Sequence, residues 1–182
     1  MKIVRVLPSG RVVLCSDTAR VNRGEVYFFE QEYDYKIMPC VYFHIAANSR
    51  RFSPQETPRL IDKFGFAYHI ENASLAERCA TDARVYSTDR SIIAGAQFIF
   101  SEETWHNIWK YTFEFDATTV QVSQLDLTAC YSALRTVIPW LTLNSGDWFL
   151  LSLLEASVRL SFPSRVRLLA NDNLVLDELI RS

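Results

Sequence analysis

Three histidines, four cysteines and a scatter of carboxylates are the side chains of this chain that can move protons, attack a substrate or hold a metal. Glu102 and His106, in SEETWHNIW, stand four residues apart and share a face if the segment is helical, which is the spacing of a metal-binding pair. The zinc-protease pattern His-Glu-x-x-His is missing, so a surface ion pair is the expected role. His69 and Glu71 stand two apart, which on a strand places both on one side of a sheet as an acid–base pair, although no activated nucleophile lies near them in sequence. Cys40 and His44 share a strand face in CVYFHIA; a packed thiol and a hydrogen-bonded core histidine are expected there before a catalytic pair. Ser145-Gly146-Asp147 is not embedded in Gly-x-Ser-x-Gly and reads as a turn. Cys15, Cys40, Cys79 and Cys130 are widely spaced with no Cys-x-x-Cys, so buried reduced thiols are expected in place of zinc or disulfides.

These residues must be held by elements, and the most legible stretch is Leu125–Leu154. Leu127, Cys130, Leu134, Val137, Ile138 and Leu141 recur at helical spacing, Asp126 is placed to cap the helix, and Pro139 should end it. Asn144-Ser145-Gly146-Asp147 then turns the chain into Trp148–Leu154, apolar enough for a strand covered on both faces. Lys2–Leu7 and Arg11–Cys15 form an expected N-terminal hairpin around Pro8-Ser9-Gly10. Glu25–Tyr35 is a strand or a loop clamped by its rings. Its aromatic cluster, Tyr27, Phe28, Phe29, Tyr33 and Tyr35, lies among Glu25, Glu30, Glu32 and Asp34; these would repel nucleic-acid phosphates and favour core or a dimer interface. Cys40–Ala46, Phe64–Ile70 and Ser91–Phe100 read as strands, with Gly95 marking a bulge or a close backbone approach. Asn48–Pro58 is a polar loop holding a turn opened by Ser53-Pro54, and Ser74-Leu75-Ala76-Glu77 reads as a capping box for a helix reaching about Tyr86. Ser101–Lys110 is short and helix-like. Tyr111, Phe113 and Phe115 alternate before a turn at Asp116–Thr118, and Asn171-Asp172-Asn173 signals a closing hairpin.

At 182 residues the chain is most simply one domain. A net charge of -2 offers nothing to nucleic acid or an acidic membrane, and the adjacent Arg50-Arg51 reads as part of a solvated loop. No apolar run approaches the ~18 residues that cross a bilayer. Arg5 and Arg11 interrupt the region an export signal would need, so a cytoplasmic location is expected. Strands interrupted by two main helices, without regular βαβ alternation, predict an α+β protein with a mixed sheet.

From about Pro39 to Arg181 the order of pieces resembles the fumarylacetoacetate hydrolase family. The resemblance is carried by Thr119–Val122 followed by LDLTACYSALRTVIPWLTLNSGDWFLL, with its Thr142-Leu143 and Gly146-Asp147, by VRLLANDNLVLDELIR, and by PCVYFHIAANS. It implies a mixed β-sandwich roll over residues 39–182, preceded by a hairpin and aromatic-rich segment over 1–38, and a dimer. It also implies a divalent cation on hard oxygen ligands, from a Glu-x-Glu on one strand and an Asn-Asp at the end of another. Those places fall on Phe64-Gly65-Phe66 and Ala96-Gln97, so Phe64, Phe66 and Gln97 mark lost ligands. The family's lid histidine would lie near Tyr27–Tyr33, which has none; its lysine segment before Tyr111 has no counterpart, and LSLLEASV replaces its glycine-rich loop. The resemblance therefore implies a degenerate relative with no catalytic, cofactor-binding or metal residues, acting as a structural or binding subunit and a homodimer. Two alternatives stand beside it: an active enzyme on small organic acids with a site rebuilt from His44, His69, His106 or Glu71, and an α+β interaction module outside the family.

Overall fold

The computed structural model describes residues 1–7, 9–21, 26–27, 33–79, 85, 90–108, 110–123, 126–152 and 158–181. Two long, largely apolar strands organise it: β5 (Tyr35–Ile45) and β6 (Ile61–Asn72) pair antiparallel along nearly their whole length. Both are sealed on two faces, which is why they read as apolar runs and not as alternation. Against β5 lies β10 (Trp148–Ser152), antiparallel; against β10 lies β1 (Ile3–Val6), parallel; and β2 (Val12–Cys15) closes the predicted hairpin with β1. On the other side β7 (Ile92–Ile99) pairs with β6, and β3 (Arg20–Val21) with β7. The short β11 (Val158–Arg159) adds to β5.

A second sheet has the order β4-β13-β12-β8-β9: β4 is Val26–Tyr27, β8 Lys110–Phe115, β9 Thr118–Ser123, β12 Ser164–Ala170 and β13 Asn173–Arg181. Its hairpin turns use residues that tolerate positive φ, Asp116 at 47° between β8 and β9, and Asn171 and Asp172 at 47° and 66° between β12 and β13. The main core packs the two sheets together with the helix Leu127–Val137 and Trp105 of the short helix Glu102–Asn107. Even-numbered β6 residues Phe64, Phe66, Tyr68 and Ile70 face it, with Phe113, Val166 and Leu168 across from them. The odd-numbered face of β6 joins a smaller cluster that includes Cys40, Tyr42, Trp148 and Leu150. The result is an α+β mixed β-sandwich roll.

The helix α3 (Leu127–Val137) is as expected: the Asp126 side chain accepts from the Thr128 N–H at 2.9 Å, and Leu127, Cys130, Tyr131, Leu134 and Val137 are buried. The other two helices, α1 (Ala73–Arg78) and α2 (Glu102–Asn107), have six residues each, so α3 is the one helix of ordinary length among the described residues. The expected capping box at Ser74 does not form. Strand β6 runs on to Asn72, whose side chain caps α1 by accepting from Leu75 N–H at 2.9 Å, and Ser74 Oγ accepts from Asp34 N–H at 2.9 Å. A reciprocal cap occurs instead in the 3-10 turn Pro54–Leu60, where the Glu56 carboxylate accepts from both Ser53 N–H (3.0 Å) and Ser53 Oγ–H (2.9 Å). The boundary at 38/39 falls inside β5, and the N-terminal hairpin belongs to the same sheet as β5, β6, β7 and β10. The continuation of α1 toward Tyr86, most of the Glu25–Tyr35 segment, Trp109 and residues 153–157 of the LSLLEASV stretch lie outside the described residues.

Candidate functional site

The metal position implied by the resemblance is built on β6. Phe64 and Phe66 are neighbours on one strand face, both with no exposed surface, and their rings meet edge-on with centroids 6.1 Å apart. Around them close Phe98 at 5.4 Å, Phe100 at 6.0 Å and Trp105 at 5.1 Å from Phe64, and Tyr111 at 4.3 Å from Phe66. Phe43 extends the cluster through Trp105 at 5.6 Å. Trp105 is wholly buried although Ser101–Lys110 is polar enough to favour an interface: α2 is capped by Ser101, which accepts from Thr104 N–H, and this directs Trp105 inward.

Gln97 is not part of this cluster. It pairs with Gly65 and therefore lies on the opposite face of the sheet, with its side chain exposed and hydrogen-bonded to Tyr42. The cause is a bulge. Gly65 pairs with Gln97 but Ala67 with Ala94, so Gly95 and Ala96 together oppose Phe66. Gly95 is needed there for a second reason: a Cβ would sit 3.0 Å from the Val175 carbonyl of β13. After the bulge, Phe98 and Phe100 are the residues turned toward Phe64. Sequence reasoning missed both, although their alternation in FIF was the available signal. Gly65, between the two phenylalanines, has no room for a side chain, since a Cβ would lie 2.5 Å from Tyr42 Oη. That hydroxyl donates to the Gly95 carbonyl at 3.2 Å, and the Tyr42 ring stacks on Trp148 at 4.2 Å; burial pushes its phenol up to about 12.

A hard cation does not fit the ring cluster. Four phenylalanines and a tryptophan supply no anionic oxygen, and dehydration of a divalent ion would go uncompensated. The tyrosines at its edge do not change this. Tyr111 Oη donates to the Ile108 carbonyl at 3.1 Å with its phenol raised by burial, and Tyr131, also pushed up by burial to about 12, stays protonated. Among the described residues no three His, Cys, Asp or Glu side chains stand together as a metal site.

The other face of the same strand carries the densest polar constellation. His69 and Glu71 do share a face, and Arg5 of β1 joins them. Its Nη1 lies 2.5 Å from His69 Nδ1 and 2.5 Å from Glu71 Oε1, while Nε and Nη2 donate to Ser152 Oγ at 3.1 and 2.9 Å. A guanidinium only donates, so His69 Nδ1 accepts and the ring is neutral there. Arg5 and His69 are fully buried, and Glu71 nearly so. Cys40 packs beside Ser152 with its thiol raised by burial, and Cys15 is likewise pushed up to about 12, so neither is a poised nucleophile. His44 is elsewhere, with Nδ1 2.6 Å from Asp62 Oδ1; Glu102 and His106 are exposed on α2. The histidines thus do not converge. Of the thiols, Cys79 is exposed at the end of α1, contrary to the expectation of burial, because that helix is short.

Among solved structures this fold is similar to that of a fumarylpyruvate hydrolase from Pseudomonas aeruginosa, solved in complex with Mn²⁺ and pyruvate (TM-score 0.81, 11% identity, covering 100% of this chain and 89% of that one). It is similar also to a protein from Yersinia pestis CO92 provisionally described as of the fumarylacetoacetate hydrolase family (TM-score 0.83, 14% identity, 98% and 92% covered). A third is the 2-hydroxyhepta-2,4-diene-1,7-dioate isomerase of Mycobacterium marinum (TM-score 0.78, 11% identity, 99% and 74% covered). No family model matches the sequence, and no curated protein matches it significantly. What ties this chain to those proteins is shape over nearly its whole length: it has the fold of the fumarylacetoacetate hydrolase family.

Proposed function

We propose that this protein has kept the fumarylacetoacetate hydrolase fold and given up its metal chemistry, and that it acts as a structural or binding subunit, assembled as a homodimer. The observation that carries the reading is the ring cluster of Phe64, Phe66, Phe98, Phe100 and Trp105 at the position implied for the cation. Similar folds include named hydrolases and isomerases, one of them solved with Mn²⁺. Here the same place offers π faces and no ligating oxygen, which supports loss of that chemistry. The alternative of a rebuilt enzyme draws on the meeting of His69 with Glu71, but both are engaged by a fully buried Arg5 and present no open proton-transfer position. Calorimetric titration with Mg²⁺, Mn²⁺ and Ca²⁺, with metal analysis of untreated protein, tests the proposal. No stoichiometric binding is expected; one equivalent bound in wild type and lost on substituting Phe64 or Phe66 would overturn it.

A further inference from the structure

Two stretches distant in sequence are bound together in the fold. The 3-10 turn Ser49–Arg51 is tied to the chain after α3, Ser49 N–H donating to Leu143 O at 2.8 Å and Leu143 N–H to Ser49 Oγ at 3.0 Å; Asn48 and Asn144 side chains bond at 2.9 Å. The turn Pro54–Leu60 is tied to α3 itself, Arg135 Nε donating to Thr57 Oγ1 at 3.3 Å. This common surface displays Arg50, Arg51, Arg59 and Arg135, all exposed. The two stretches that form it, 48–60 and 127–146, contain one acidic residue, Glu56, on a chain whose total charge is -2. Glu56 is bound to Arg59 and Ser53, and Glu102 lies at the margin beyond Tyr131. Arginines at helix ends favour the helix dipole, which accounts for part of the pattern. It does not account for Trp140, in the turn after α3, which is 89% exposed. Nor does it explain why, among the described residues, Arg50 and Arg51 have no carboxylate partner.

We propose that this arginine-rich surface, with the exposed Trp140 on the turn after α3, docks an acidic, apolar-anchored segment of a partner protein. Arginine and tryptophan are the residue types that dominate binding energy at protein interfaces, and a planar guanidinium receives a carboxylate in bidentate fashion. Arg59 binds Glu56 through a single bond, Nη1 to Oε1 at 2.8 Å, and its guanidinium lies 5.9 Å from the Phe52 ring centroid. A surplus of three positive charges on an acidic chain is too small for a phosphate polyanion, and the exposed indole of Trp140, three residues before the Leu143 that bonds to Ser49, requires an apolar counterpart, which a protein segment supplies. The inference rests on reading the chain as a binding subunit. Metal titration judges the lost chemistry and the experiment below judges only this surface, so the two fail separately.

The probe is a fluorescein-labelled synthetic peptide rich in Asp and Glu with one central Phe, followed by anisotropy against the full chain. Binding should weaken with added salt, by about ten-fold or more in Arg50→Glu/Arg51→Glu, and by a similar factor in Trp140→Ala. Both variants lie on the surface and should keep the wild-type melting temperature. A peptide of the same length with Lys in place of the acids should not bind. Undiminished binding to Arg50→Glu/Arg51→Glu would overturn the proposal, as would tighter binding of duplex DNA or phosphatidylserine vesicles than of the acidic peptide.

Discussion

Phe64 sits where a carboxylate would have to be surrounded by donors or a cation, and it is surrounded by rings. Phe64→Glu should therefore cost at least about 3 kcal/mol in urea unfolding and create no Mn²⁺ binding, because the new charge is buried and unpaired. On the reverse face of β6 the argument inverts. Arg5 is already a buried charge, and Glu71 is its counter-ion at 2.5 Å. Glu71→Ala should destabilise by about 3–5 kcal/mol, more than an exposed pair such as Arg159–Asp34 loses on truncation, for which at most about 1 kcal/mol is expected. Equal effects at the two sites would mean that Arg5 reaches water. The His69–Glu71 pairing was legible from strand spacing alone. Arg5 as their partner was not, since nothing local links residues 64 positions apart.

At the level of elements, α3 and the turn into β10 carry the fold. Leu134 is 1% exposed in the middle of the buried stripe, and truncation to Ala should cost about 2–5 kcal/mol. Gly146 has φ +89° with open space around it, so Gly146→Val should cost about 1–3 kcal/mol through backbone strain alone. Unchanged melting temperatures in both would refute this account of the stretch. Asp147 anchors the same turn, accepting from Lys2 N–H at 2.6 Å and Asn144 N–H at 2.8 Å and pairing with Lys2 Nζ at 2.8 Å. Burial acts to raise its carboxyl, but these bonds outweigh it and hold the group below its ordinary value. A depressed carboxyl stabilises above its unfolded value, near 3.9, and the benefit is lost as pH falls through the folded value. Urea midpoints of wild type should accordingly exceed those of Asp147→Asn at neutral pH, and the gap should narrow as pH falls below about 4.

For the molecule as a whole, the aromatic content of 13% is mostly internal, and the dimer expectation now rests on other residues. Trp105 has no exposed surface, whereas Ile99 of β7, 78% exposed, is an apolar side chain that a dimer would cover. Light scattering at micromolar concentration is expected to give a particle of twice the 21.0 kDa chain mass. A monomer throughout would leave the acidic-partner surface as the sole assembly route. No helix among the described residues is long and apolar enough to cross a membrane.

Local patterns were sufficient for α3 with its Asp126 cap, the Asn171-Asp172 hairpin and the positive-φ Gly146 turn, because each is decided by residues within a few positions of one another, whereas Gly95 signalled only a bulge or a close backbone approach. The order of those pieces was enough to suggest the roll. Long-range pairing decided the rest. The Gly95–Ala96 bulge reverses which side chains of β7 face inward, so Gln97 leaves the cluster and Phe98 and Phe100 enter it, a one-residue effect that depends on β13 pressing against Gly95. In the same way β6 extended to Asn72 took the cap of α1 from Ser74, and β1 entering the first sheet delivered Arg5 to His69 and Glu71. Residue types and spacing specify elements; which element lies beside which, and in what register, is set by burial summed over the whole chain.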